Sequence, residues 1–306
     1  MHNFRAFAGG RHMAKAVPPV FRSSAGRASY YAAYDAVLRA WPVPFEELDI
    51  PTPQGLTHVI ASGPSAAPPL LLLPSLAASA MLWQPNIAAL STHFRVYAVD
   101  IIGQVGKSVP AKRIRTRQEM AEWLSALMDG LGVGRASLVG ASYGGFLAMN
   151  QAVSTTERVD RVALIGPAAT FVRLPWKFYY AMLIKGPLRR LFRRKASPRW
   201  SGERPSPVGS FGSLMASAML HSAKPNLAPA IVFSKSELLR VKAPVLLLIG
   251  EREVLYDPQT ALEKARKRIP GLSGAVISGA DHLASLSAPE AVSNRLVEFL
   301  TPSQPS

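Results

Sequence analysis

Residues 140–144, Gly-Ala-Ser-Tyr-Gly, set a serine between two glycines. An apolar run at 136–139 leads into them, and a helix-forming stretch at 145–153 follows at once. This is the G-x-S-x-G turn in the strand–turn–helix context that exposes a serine hydroxyl as a nucleophile. Small neighbours suit a turn too tight for bulk, and the helix directs its first amides at charge developing near Ser142. A hydroxyl attacks poorly unless a base takes its proton, and that base is normally a histidine held by an acid.

Six histidines are available. His2 and His12 lie in an N-terminal leader, and His58 falls inside a strand before the serine. His93 sits in a polar strand entry, and His221 in an irregular segment where a surface role is expected. His282, in "SGADHLAS", follows a short apolar run and precedes the last helical pattern. It alone comes after an acid cluster on a loop at the end of a strand.

That cluster is "LIGEREVLYDP", with Glu251, Glu253 and Asp257 just beyond the apolar run 245–249. Asp257 precedes Pro258 at the start of a helical pattern, so an N-cap accounts for it. Glu251 falls in the first step of the turn and is expected in solvent. Glu253 stands three residues past Gly250 with no competing structural task, and is the preferred partner of His282. Asp257 remains the alternative acid.

The elements that must position these residues alternate. Apolar runs at 56–61, 70–73, 95–99, 136–139, 162–165, 245–249 and 275–277 read as strands. Helical spacing marks 87–90, 118–131, 145–153, 258–268 and 289–300. Such alternation predicts an α/β fold with a mostly parallel sheet and helices on both faces. Residues 167–243 break the rhythm and are too long for a plain connection. They read as an inserted helical cap, with a turn at 205–212 between its helices. The expected organisation is a leader or vector-derived extension over 1–20, a core built from 21–166 and 244–306, and a cap over 167–243.

Composition narrows the function. The 306 residues can bury a large core, and no apolar run approaches the roughly 20 residues of a membrane span. A soluble chain is expected. The absence of cysteine excludes disulfides, thiolate metal sites and cysteine nucleophiles, and fits a cytoplasmic location. The net charge of +16 is local: residues 171–204 hold ten Lys/Arg against one acid, and residues 1–39 six against one. The remainder is nearly neutral, which argues against a nucleic-acid partner. Within the basic stretch, "PLRRLFRRK" could rest on anionic lipid; a solvated cap helix is the preferred reading over membrane contact. "GQVGKS" at 103–108 lacks the first glycine of a phosphate loop, because Ile101 stands there, and Pro110 follows where a helix should begin.

Residues 25–300 resemble the α/β-hydrolase family, whose chain order is serine, acid, histidine. They are more closely similar to small bacterial carboxylesterases of the naproxen-esterase type through "THVIASGP", "WQPNIAAL", "VYAVDIIG", "KSVP", "SYGG…MN", "PAATF" and "LLLIGEREVLYDP". The resemblance implies hydrolysis of small to medium carboxylic esters through Ser142, His282 and Glu253, with no metal or organic cofactor. It also implies backbone N–H donors to the oxyanion from Leu76 and Tyr143. One departure stands out: His-Gly usually follows the strand at 70–73 in these enzymes, and here Pro74-Ser75 does. The lost glycine restricts the dihedrals of the loop that carries Leu76. The same three side chains also serve thioesters, lactones and acyl transfer, and a silent ligand binder could retain them.

Overall fold

A computed structural model describes residues 17–174 and 207–301. Among these residues, nine strands form one sheet in the order β1-β2-β4-β3-β6-β7-β8-β9, with β5 paired to β2. They are β1 (Phe45–Thr52), β2 (Gly55–Ser62), β3 (Pro69–Leu73), β4 (Arg95–Val99), β5 (Val109–Pro110), β6 (Ala136–Ala141), β7 (Val159–Ile165), β8 (Val245–Arg252) and β9 (Ser273–Asp281). Pairing is antiparallel from β1 to β2 and from β2 to β4, then parallel from β4 through β9.

The central parallel strands are mainly apolar, β3 throughout, because both of their faces are covered. Leu71 and Leu73 of β3 join one core cluster while Leu70 and Leu72 join the other, as the two-residue period of a strand requires. Each is fully buried, and burying a leucine side chain contributes roughly 1.5–3 kcal/mol. Helices α3 (Arg117–Gly130), α4 (Tyr143–Ser154) and α7 (Pro258–Arg268) pack on the first face. Helices α1 (Ser24–Leu38), α2 (Gln84–Ser91) and α9 (Pro289–Leu300), with α5 (Pro207–His221), pack on the second. Short helices α6 (Lys235–Leu238) and α8 (Ala284–Ser287) precede β8 and α9.

Local sequence explains the helix starts that matter to the site. Asp257 caps α7 by accepting from the Thr260 N–H at 2.8 Å, and Pro258 occupies the first helical position. Thr116 and Glu119 form a reciprocal capping box at the start of α3. Asp100, at the end of β4, is fully buried and accepts from the Ala80 N–H at 2.7 Å and the Lys107 N–H at 2.6 Å. Burial pushes its carboxyl above the ordinary range against the pull of those donors.

Three expectations change in detail. The turn at 205–212 is instead the first part of α5 from Pro207 onward, a helix held because Leu214 and Ala218 enter the second core cluster. Glu251 lies within β8 and accepts from the Ser278 hydroxyl and the Gly279 N–H, so it is tied across to β9 even though exposed. The leader expected over 1–20 ends in ordered contact: the Val20 carbonyl accepts from the Ala223 N–H, and Phe21 is buried. Residues 1–16 and the basic stretch 187–195 fall outside the described residues.

Glu237 in α6 pairs with Arg117 at the start of α3, fastening the segment that returns to the core. Burial acts upward on its carboxyl, but hydrogen bonds from Arg117 and Ser234 outweigh it and hold the pKa at about 2. A depressed acid stabilises the fold above its unfolded pKa of about 4.3 and loses that stabilisation as pH falls through the folded value. Urea unfolding should therefore find Glu237→Gln less stable by about 1 kcal/mol at pH 7, given partial solvent screening. The difference should shrink between about pH 4.5 and pH 2.

Candidate active site

Ser142 stands at the junction of β6 and α4 with φ 51° and ψ −111°, a backbone conformation that a side chain rarely tolerates. Such a residue costs on the order of 1–3 kcal/mol and persists only where its surroundings hold it. Three main-chain hydrogen bonds do so. The Ser142 N–H donates to Ile165 at 2.9 Å, and the Ser142 carbonyl accepts from Phe146 at 3.1 Å and Ala168 at 3.0 Å. The flanking glycines are required by space. A Cβ on Gly140 would lie 2.2 Å from the Gly144 carbonyl oxygen, and one on Gly144 would lie 2.0 Å from that of Leu73.

The three parts of the site come from the ends of parallel strands. The Ser142 Oγ lies 3.0 Å from His282 Nε2. The His282 Nδ1 lies 2.9 and 2.7 Å from the two carboxylate oxygens of Glu253. The Glu253 side chain is wholly buried, while the imidazole keeps about a fifth of its surface exposed. Burying a charge without partners is costly, and Glu253 has them: its Oε1 accepts from the Val254 N–H at 2.8 Å and the Leu255 N–H at 2.9 Å. Asp281 shapes the loop beneath the histidine by accepting from the Leu283 N–H and the Ser287 hydroxyl.

Of the three acids, Glu253 alone reaches His282 among the described residues. Asp257 is exposed and engaged with Thr260, whose side chain and N–H both lower its pKa. The Gly279 N–H and then the Ser278 hydroxyl do the same for Glu251. His58 is buried far along β2 between Asp49 and Glu47, and His221 packs against Gly26 of α1.

Tyr143 follows the serine directly, and Leu76 lies in the loop after β3. Tyr143 opens α4, and its buried hydroxyl donates to the Ala228 carbonyl at 2.7 Å; burial raises its pKa. Leu76 follows Pro74, whose carbonyl sits against Gly144. Neither the Leu76 nor the Tyr143 N–H donates to another group among the described residues. The strained residue of the Leu76 loop is Ala77, with φ 61°, and not Ser75, which occupies the place of the missing glycine.

Sequence reasoning missed three residues around this centre. Gly166, with φ 50°, directly follows β7, where a Cβ would stand 3.1 Å from Glu253 Oε2 and 3.1 Å from the His282 carbonyl oxygen. Gln104 is buried and its amide faces the Leu76 loop. Asp281, next to the histidine, could have been found as an Asp with a serine six residues on. The other two depend on contacts between distant segments and leave no local mark.

Comparison with known proteins agrees with this architecture. The family described as alpha/beta hydrolase fold matches residues 68–289. Carboxylesterase YbfK of Bacillus subtilis is 37% identical over 292 residues, spanning 89% of this chain and 93% of that protein. The crystal structure of naproxen esterase from Bacillus subtilis superposes with a TM-score of 0.80 at 34% identity, covering 92% of this chain and 100% of that one. That of carboxylesterase CesB (YbfK) gives 0.78 at 35% identity, with the same coverage. A strained serine between two glycines, on a sheet of this order and with relatives of this extent, makes the chain a member of the α/β-hydrolase family.

Proposed function

We propose that the protein is a serine hydrolase of small to medium carboxylic esters that works through an acyl-enzyme. The observation that carries this reading is the continuous hydrogen-bonded chain Ser142–His282–Glu253. The relatives named carboxylesterases, alike over nearly their whole length, support the choice of ester as substrate.

In this reading His282 Nε2 takes the hydroxyl proton as the Ser142 Oγ attacks the ester carbonyl. The buried Glu253 carboxylate keeps the other imidazole proton on Nδ1 and stabilises the imidazolium that forms. Negative charge collects on the former carbonyl oxygen, where the N–H groups of Leu76 and Tyr143 receive it. Fixed donors aimed at that oxygen need no reorganisation during the reaction. The imidazolium then gives its proton to the departing alcohol, leaving the acyl group on Ser142. Water, activated by the same nitrogen, releases the acid. Residues 167–243 are read as a cap over this centre, and Tyr143 is tied to its returning arm through Ala228.

Turnover of p-nitrophenyl acetate and butyrate tests the mechanism. Ser142→Ala should fall to background, a loss of at least about 10³-fold, and Glu253→Gln should lose about 10²–10⁴-fold in kcat. Asp257→Asn should stay within about threefold, because Asn caps a helix as well as Asp does. Inactive wild type, or Ser142→Ala with undiminished rate, would sink the esterase reading. A crippled Asp257→Asn beside an active Glu253→Gln would reassign the acid.

Gly166 offers a second test. Gly166→Ala forces a side chain into φ 50°, which costs about 1–2 kcal/mol, and presses on the Glu253–His282 contact. Denaturant unfolding should register that loss. The kcat should drop by about tenfold or more, since small misplacements at a reacting centre cost rate steeply.

A further inference from the structure

We propose that Gln104 is a positioning residue for the oxyanion loop, its single side-chain amide holding residues 75–78 in the conformation that aims the Leu76 N–H at the reacting carbonyl. The inference rests on the esterase reading above and names what keeps that donor in place in a chain with Pro74-Ser75 after β3.

The geometry is a three-point clamp. The Gln104 Oε1 accepts from the Ala77 N–H at 3.0 Å. Its Nε2 donates to the Ser75 carbonyl at 3.2 Å and to the Ala78 carbonyl at 3.0 Å. Leu76 lies between the gripped residues, and Ala77 is held at φ 61°, a conformation that alanine enters only at a cost. The clamp needs an acceptor and two donors on one rigid end, a combination that only an amide side chain presents at this length. A carboxylate would repel both carbonyls, and an ammonium could not accept from Ala77.

The clamp is itself anchored. Gln104 is 1% exposed, so its hydrogen bonds do not compete with solvent. The preceding Gly103 takes φ 87°, and a Cβ there would stand 2.3 Å from the Asn226 carbonyl oxygen. Its own carbonyl accepts from the Asn226 N–H at 2.7 Å. The Asn226 side chain in turn accepts from Ile114 and donates to Lys112. Asp100 grips the far end of the same loop at Ala80. The oxyanion loop is thus held from below by the 100–104 turn, which is locked to the arm returning from α5.

Gln104→Glu keeps the shape and the acceptor but removes the two donors; Gln104→Met removes all three hydrogen bonds at similar volume. With p-nitrophenyl butyrate, both should lower kcat about 10- to 100-fold while KM moves less than about threefold. Affinity for an aryl trifluoromethyl ketone, whose adduct with Ser142 carries the oxyanion, should fall by the same factor as kcat/KM. Should Gln104→Met not fold, Gln104→Glu decides alone. Folded variants with wild-type kcat overturn the proposal, and so does a fall in kcat that the ketone affinity does not follow, since that marks a general structural defect. Those results leave the esterase reading standing when Ser142→Ala is inactive. A wild type without turnover overturns both.

Discussion

The strained backbone of Ser142 is the constraint around which the site is organised. A residue at φ 51° and ψ −111° turns its hydroxyl out of the strand and into the space above the sheet. That conformation persists because β7 and the segment after it take up both main-chain groups of the serine. It also requires two glycines to let the strand, the turn and the loop after β3 approach within touching distance. Strain at one residue therefore dictates composition at two neighbouring positions, 140 and 144. The same approach brings Leu73 and Pro74 against Gly144, so the loop after β3 and the turn that carries Ser142 share one packing contact.

The buried acid imposes the second demand. A wholly buried carboxylate is tolerated only when its lone pairs are satisfied, and Glu253 receives two backbone N–H groups as well as the imidazole. Both N–H groups belong to the two residues that follow it, so the turn after β8 solvates its own side chain. Exposed Asp257, only four residues on, illustrates the alternative fate. Its cap interaction with Thr260 is satisfied in solvent and contributes to the start of α7. Two carboxylates close in sequence diverge because one faces a histidine across the strand ends and the other faces a helix terminus.

Much of this was legible in the chain, and the physical reason is locality. The turn at 140–144 requires small residues at fixed offsets, and the Asp257-Pro258 pair writes a helix start directly into the sequence. The run at 70–73 reads as a strand, and it is one, covered on both faces. The stretch "PSPVGSFG" reads as a turn by composition and is largely helix, because Pro207 opens α5 and the burial of Leu214 and Ala218 overrides weak local propensity. Helix α1 was missed although Tyr30, Tyr34 and Val37 carry its spacing; its apolar face is sealed by residues as distant as Leu214. Gln104 was passed over inside a sequence that resembles a phosphate loop, since its role depends on where residues 75–78 lie. The missing glycine after β3 pointed to altered dihedrals in that loop. The strain falls instead at Ala77, two residues beyond the substitution.

The strand order explains why a side chain at position 166 would crowd the site. Ser142 follows β6, and Glu253 and His282 follow β8 and β9, so β7 runs between the serine and the acid. Parallel neighbours are about 4.8 Å apart, and two spacings are close to the width of one imidazole with a hydrogen bond on each side. The histidine can therefore bridge the gap only by lying across the end of β7. Any side chain rising from that strand end would occupy the ground the imidazole and carboxylate need, which is where a Cβ on Gly166 would point. The spacing of the sheet thus sets the length of the Ser–His–Glu chain, and the glycine keeps its path open.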